Sequence, residues 1–575
     1  MRMSKRLFGL SVMVAAIVVG CALPSQGVQS GGATEAQRPA IPKKIVAGVN
    51  TTDPMILRSS AGGPFGGSAN GIDAIENLVS AGTSLRDDTD NLQPQLAEAV
   101  PTLDNGLWKL LPDGRMETTW RIRDGAQWHD GAPFTSADLL FTLNVGQDPA
   151  MTAFGGHVGF EVIDGAETPD SRTMLVKWKR PFIQADTLFT TEFAMPMPKH
   201  LLEKTYAEDK DSVVQLPYWT EDFVGTGPFK LKDWVRGSHI TLLAFDQYVL
   251  GRPKIDEMLI KFIADQNTMV ANYLAAEVDV NLGRGLSLEQ GMQLQGQWPN
   301  GKMVVGLFNW VVVYPQMLNP SPAVLMDARM RKALMHAMDR QEMADAFQAG
   351  LTPVAHGIIN TSLPQFRSID NQVVRYEYDS RRASAMIEGL GYTRGADGMF
   401  RDAAGEPLRV EIRTTGEQEI QTKSVLSVAD FWQRAGVGVD TMVLGAQRRT
   451  DRAYRATRPG FEVLRTPDGP KGLRRAHSSE TPLPENNFTK SGNNARYMNP
   501  EFDALLDRYF ATIPIPERTQ VLGQIVHHSS DQVNVMGLFY GAEPTLISNR
   551  LLNAGPRGAQ DTTNAWNAHE WDLRN

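Results

Sequence analysis

Adjacent histidines at 527 and 528, with Asp531 close behind, are the nearest approach to a metal cluster in this 575-residue chain. The segment reads as a helix, and neighbours at i and i+1 on a helix diverge by about 100°. Two such rings do not close on one ion, so a solvated helix face is expected and no metal is assigned. Gly225-Thr226-Gly227 has the glycine spacing of a phosphate loop, but Pro228 removes an N–H that such a loop would use, and no Gly-Lys-[Ser/Thr] follows. His-Glu-x-x-His, Cys-x-x-Cys and Gly-x-Ser-x-Gly are all absent. Carboxylates are abundant, yet no pair stands apart as an acid–base couple. The residue types therefore point away from an enzyme, and no catalytic residue or cofactor is expected. What remains is non-covalent recognition by aromatic faces and a few placed polar groups.

The elements that would position such groups are clearest at residues 118–143. Trp120 and Ile122 alternate with Arg121 and Arg123, the period-2 pattern of a half-buried strand. Asp124-Gly125 and Asp130-Gly131 supply the positive-φ positions of tight turns. Thr135 then caps a helix, with Asp138 three residues on to complete a capping box, and Phe134 and Leu139 form its hydrophobic staple. Trp128 reads as structural. Further strands are expected from the alternation of Met174, Val176 and Trp178, of Met258, Ile260 and Phe262, and of Leu408, Val410 and Ile412. Asp327, Asp339, Asp379 and Asn499 are expected to cap helices, and Gly350, Gly391 and Gly436 to stop them. Strands interleaved with helices imply α/β lobes with a mixed sheet.

These words, in this order, resemble the family 5 extracellular solute-binding proteins, the oligopeptide, dipeptide and nickel receptors of ABC importers. The stretch Arg123-Asp124-Gly125 followed by Trp128-His129-Asp130-Gly131-Ala132-Pro133-Phe134-Thr135 is similar to the family signature. Gly225-Thr226-Gly227-Pro228-Phe229 is a second such word, and the run from Asp327 through Arg329, Arg331, Ala333 and Leu334 to Asp339-Arg340 a third. Ile75, Leu78, Leu96 and Ala97 match the entry segment, and Tyr376-Glu377-Tyr378-Asp379 with Ala383, Met386 and Ile387 matches a later helix. The resemblance covers residues 45–552. It implies a two-lobed periplasmic-binding-protein-like α/β fold with an extra subdomain in lobe I, a peptide-like or other polar solute as ligand, and permease and ATPase subunits as partners. A ligand sensor or chaperone-like peptide binder on the same scaffold is the second reading.

The N-terminus agrees on separate grounds. Arg2, Lys5 and Arg6 precede an apolar run that ends at Val18-Val19-Gly20-Cys21. That is the build of an export signal, and it is short of the ~20 apolar residues of a membrane span. Cys21 is the one cysteine in the chain, so it forms no internal disulfide. Its context is similar to a lipobox, which implies acylation of Cys21 and a chain exported and anchored to the cell membrane by lipid.

The expected organisation is a signal at 1–20, a flexible tether at 21–43, lobe I at 44–305 with a subdomain at about 76–221, lobe II at 306–535, and a return to lobe I at 536–575. Crossovers are expected near 304–310 and 535–540. The net charge of −8 offers no basic stripe for a nucleic acid. A monomer is expected. Trp310, next to Asn309 at one crossover, is expected to present its ring to the cleft. In peptide-binding members the 461–471 segment carries a tryptophan and an aspartate that pairs with the ligand amine. This chain has Leu464, Arg465 and Asp468 there instead. Three readings stay open: Asp468 as an amine anchor, Arg465 as a fork for a carboxylate or phosphate, or both as plain loop charges.

Overall fold

The structure is a computed structural model that describes residues 41–54, 57, 70–151, 153–154, 159–416, 418–558 and 563–574. The export signal, Cys21 and nearly all of the tether lie outside the described residues. From Pro42 onward the chain packs as one compact unit.

Ten strands share one sheet. In chain order they are β1 (Lys44–Val49), β2 (Phe229–Val235), β3 (His239–Ala244), β4 (Glu257–Phe262), β5 (Val280–Leu282), β6 (Gly301–Pro315), β7 (Arg409–Thr414), β8 (Gly438–Val443), β9 (Phe461–Thr466) and β10 (Met536–Ser548). Across the sheet they run β8-β7-β9-β6-β10-β5-β1-β4-β3-β2. The two central strands are the long ones, 15 and 13 residues. Their antiparallel ladder extends from Gly301 opposite Ser548 to Val313 opposite Met536. At one end β10 pairs with β5 through Val280 and Ile547; at the other β6 pairs with β9 from Trp310–Thr466 to Pro315–Phe461. The sheet is thus two halves joined by one two-stranded ribbon, the arrangement of a two-lobed protein.

The ribbon carries an irregularity at its middle. Its register jumps from Leu307–Ala542 to Trp310–Tyr540, so Phe308 and Asn309 together oppose Gly541. Asn309 has φ 61°, a left-handed conformation that asparagine tolerates better than most residues.

Between β1 and β2 the chain builds a separate four-stranded antiparallel sheet from Trp108–Leu110, Met116–Arg121, Ile163–Asp170 and Thr173–Trp178. Helix α1 (Ser136–Gln147) covers it; the Thr135 N–H donates to the Asp138 carboxylate at 2.8 Å. Gly125 and Gly131 take the positive φ the turns require. Trp120, Trp128 and Trp178 are all buried in its core. That core is continuous with residues beyond β6, including Leu473, Phe502 and Tyr540.

Five further helices matter for the site: α2 (Leu288–Gln295), α3 (Arg340–Gln348), α4 (Glu419–Arg434), α5 (Gly469–Arg475) and α6 (Pro500–Ala511). Asp327, Asp339, Asp379 and Asn499 each accept a backbone N–H at a helix start, as their positions predict. Gly350, Gly391 and Gly436 all have positive φ. His528 departs from expectation. It stacks on Phe502, ring centroids 5.0 Å apart, and bonds the Tyr497 hydroxyl at 2.9 Å, so it is packed rather than solvated. Among the described residues no group of three His, Cys, Asp or Glu is placed to hold a metal ion.

Candidate solute cleft

A cavity of about 750 Å³ opens beside the ribbon where the two halves of the sheet meet. One wall is the start of α2 and the loop after β5, with Arg284, Ser287 and Glu289, together with Asn50 and Asn70. The other wall is the end of α3 and the start of α4, with Phe347, Gln348, Gln418 and Lys423. The floor is Val311, Arg465, Gly541 and Glu543. Such a volume lies within the range of ordinary small-molecule sites.

Alternation along the strands decides which residues reach this floor. Val311 and Arg465 are register partners on β6 and β9, and partners share a face. Trp310 and Thr466 are the next pair along and face the opposite side. Trp310 is 1% exposed and packs in the core shared with the four-stranded sheet. Contrary to the expectation from the sequence, its ring does not face this cavity. Trp310 lines a void of about 30 Å³ on the far face, and its indole N–H has no acceptor. Asn309 does not line the cavity either; its part is the bulge that sets this facing.

Arg465 does reach the floor, on terms its position in the chain does not reveal. Its side chain is 12% exposed and is paired with Glu543 of β10, Nη2 to Oε2, at 3.1 Å. The same Nη2 donates to the Phe308 carbonyl at 3.1 Å, and Nη1 reaches Gln418 Oε1 at 3.5 Å. Burial lowers the proton affinity of this guanidinium, and Glu543 works against that. Gly541 makes the room: a Cβ there would sit 3.0 Å from Arg465 Nη2 and 2.8 Å from the Phe308 oxygen. Glu543 is the residue that sequence reasoning missed. It lies 78 positions from Arg465, with no local pattern linking them.

Asp468 is buried, 4% exposed, at the head of α5, and burial pushes its carboxyl up to about 6. It is absent from the cavity lining, which removes the structural basis for an amine anchor there. Neither Arg465 nor Asp468 is a plain exposed loop charge.

One contact links the walls, and a second ties the floor strand β10 to one of them. Lys423 of α4 lies 3.9 Å from Glu289 of α2 and 2.9 Å from Glu419. The Ala542 N–H donates to Gln348 Oε1 at 2.7 Å. The two glycines whose spacing matched that of a phosphate loop serve close packing. An added Cβ at Gly225 would lie 1.9 Å from the Val79 oxygen, and one at Gly227 2.5 Å from the Ser80 nitrogen.

Comparison with known proteins agrees with this architecture. The family described as "Bacterial extracellular solute-binding proteins, family 5 Middle" matches residues 91–473. The oligopeptide-binding protein AppA of Bacillus subtilis is 26% identical over 377 residues, 64% of each chain, so the match spans less than two thirds of that relative. The periplasmic oligopeptide-binding protein OppA of Haemophilus influenzae is 23% identical over 509 residues, 85% of this chain and 86% of that one. The solved structure of the Bacillus protein with a nonapeptide superposes with a TM-score of 0.67 at 20% identity, covering 93% of this chain and all of that one. A periplasmic EDTA-binding protein, EppA, superposes at 0.72 with 16% identity, covering 95% of this chain and 100% of its own. At these identities the structural likeness concerns the fold.

Proposed function

This chain belongs to the bacterial extracellular solute-binding proteins of family 5, and on that premise we propose that it captures a polar, peptide-like solute in the cleft beside the β6–β10 ribbon and delivers it to the permease of an ABC importer. The observation that carries this reading is the cavity of about 750 Å³ walled by both halves of the sheet, with the buried Arg465–Glu543 pair at its floor. The names of the relatives support peptides as the first class to test. In this reading lobe I is residues 44–305 with 536–575 and lobe II is 306–535, the ribbon being the hinge. Recognition is non-covalent, and Arg465 is the contact kept from the residues that the sequence singled out.

Native mass spectrometry of the gently purified protein, followed by calorimetric titration with mixed tripeptides, tests the proposal. A retained mass or a saturable heat is expected. Protein that carries no ligand and binds neither tripeptides nor any component of a culture-medium extract would refute it.

Anchoring is part of the same proposal, with Cys21 as the acylated residue. Labelled palmitate should enter the wild-type chain and not Cys21→Ala. Wild-type protein that takes up no label and stays in the soluble fraction would remove the anchor and leave the solute reading intact.

A further inference from the structure

The charges on and next to the cleft floor do not balance. Three guanidiniums, Arg284 of the wall, Arg465 of the floor and Arg557 outside the cavity lining, share two carboxylates, Glu543 of the floor and Asp73 outside the lining. Arg557 pairs with Asp73 at 2.9 Å and lies over the Phe308 ring, 4.3 Å from its centroid. Arg465 pairs with Glu543 and lies 5.9 Å from the same ring centroid. Arg284 approaches no closer than 3.9 Å, at Glu543 Oε1. One positive charge is left over.

The hydrogen bonds are unbalanced in the same place. The Nε–H groups of Arg465 and Arg557 are buried without an acceptor, and Glu543 Oε1 is buried without a donor. Orphaned buried polar atoms are costly, most of all on charged groups. Glu543 is only half satisfied. Its side chain is only 4% exposed, and one of its two oxygens carries the whole pairing with Arg465. Beside three guanidiniums a ligand ammonium would be repelled. The rim has the opposite bias, for the exposed Glu289 and Glu419 share Lys423.

We infer that the solute carries a terminal carboxylate, that this group binds Arg465 at the floor, and that Glu543 occupies its place until the solute arrives. The inference rests on the solute-binding reading above and names the ligand's chemistry. On binding, the ligand oxyanion takes Arg465, Glu543 passes to Arg284, and Arg557 keeps Asp73. Three guanidiniums then face three carboxylates. Glu543 is an internal competitor and Arg465 the specificity determinant.

The test titrates mixed tripeptides with free C-termini, the same mixture C-terminally amidated, citrate and inorganic phosphate against wild type, Arg465→Lys, Arg465→Ala and Glu543→Gln. Far-ultraviolet circular dichroism and thermal melts verify that each variant is folded. Amidation should weaken wild-type binding at least about tenfold, the size of one lost charge-assisted hydrogen bond. Arg465→Lys, which keeps the charge and loses the Nε donor, should weaken binding of the free acid and shrink the gap between acid and amide. Glu543→Gln should tighten free-acid binding severalfold, since the competitor is gone while Arg465 stays charged. Citrate or phosphate binding that depends on Arg465, with no tripeptide binding, would keep the oxyanion site and identify its source as a small organic or inorganic anion. Equal binding of acid and amide by wild type would overturn the inference and leave peptide capture standing. Weaker free-acid binding by Glu543→Gln would overturn the competitor role. Binding by none of the probes would overturn both this inference and the peptide reading.

Discussion

His129 shows how one side chain joins two distant words of the sequence. Its backbone N–H donates to the Gly225 oxygen at 2.9 Å, its Nδ1 accepts the Gly225 N–H at 3.2 Å, and its Nε2 lies 3.0 Å from the Gly227 oxygen. That set requires a neutral ring with the proton on Nε2, because a proton on Nδ1 would oppose the Gly225 N–H. Burial is the main reason its pKa falls to about 4, and His356 falls to about 4 for the same reason with Arg340 beside it. An unfolded chain protonates histidine near 6.5, so between pH 6.5 and 4 the unfolded state binds more protons. This contribution to stability is complete above pH 6.5 and is lost as the pH falls toward 4. Asp468 and Asp186, both raised to about 6, act in the opposite sense, losing their contribution as the pH rises through 6. The difference between proteins isolates the histidine: melting temperatures of wild type and His129→Gln should converge as the pH drops from 7 to 4.5. Parallel curves would show that His129 titrates normally.

Among the elements, the start of α1 and the glycine loop are each held by several specific contacts. The Asp138 carboxylate accepts the Thr135 N–H and also the Lys199 N–H at 3.0 Å, tying the helix start to the segment that follows the four-stranded sheet. Thr135→Ala removes one cap and should cost about 1 kcal/mol in urea unfolding. Asp138→Ala strands two backbone donors and should cost roughly twice that or more. A reversed order would mean that Asp138 contributes little beyond the cap. Gly225→Ala forces a Cβ against the Val79 carbonyl and should cost at least ~3 kcal/mol, the upper end for overpacking. A Gly225→Ala protein as stable as wild type would show that the loop yields without cost.

At the scale of the whole molecule, the ribbon joins two half-sheets, and contacts between them set the shape. Besides those at the cleft, Arg474 of α5 donates to Gln184 Oε1 at 2.9 Å and lies 4.4 Å from the Phe510 ring centroid and 5.9 Å from that of Phe182. Gln184 and Phe182 follow the four-stranded sheet, whereas Arg474 and Phe510 lie beyond β6. Arg474→Ala should therefore enlarge the radius of gyration of the unliganded protein in solution scattering. A bound solute should reduce it and raise the melting temperature with concentration as RT ln(1 + [L]/Kd). An unchanged scattering curve for both would rule out hinge motion about β6 and β10.

Much of the fold is legible in the sequence because its determinants are local. Asp327, Asp339, Asp379 and Asn499 cap helices by bonding N–H groups two or three residues away, and alternation along Met116–Arg121 needs only a strand and one buried face. Arg465 is the cleft residue that the sequence singles out. The sequence does not reveal which way Trp310 points, since a bulge at Phe308–Asn309 against Gly541 sets its facing and a bulge exists only relative to a partner strand. Nor does it reveal Glu543, which meets Arg465 only because β6 lies between β9 and β10. Capping and periodicity are short-range interactions and survive as spacing. The cleft's charges come from strands far apart in the chain, and only long-range hydrogen-bond register brings them within 4 Å.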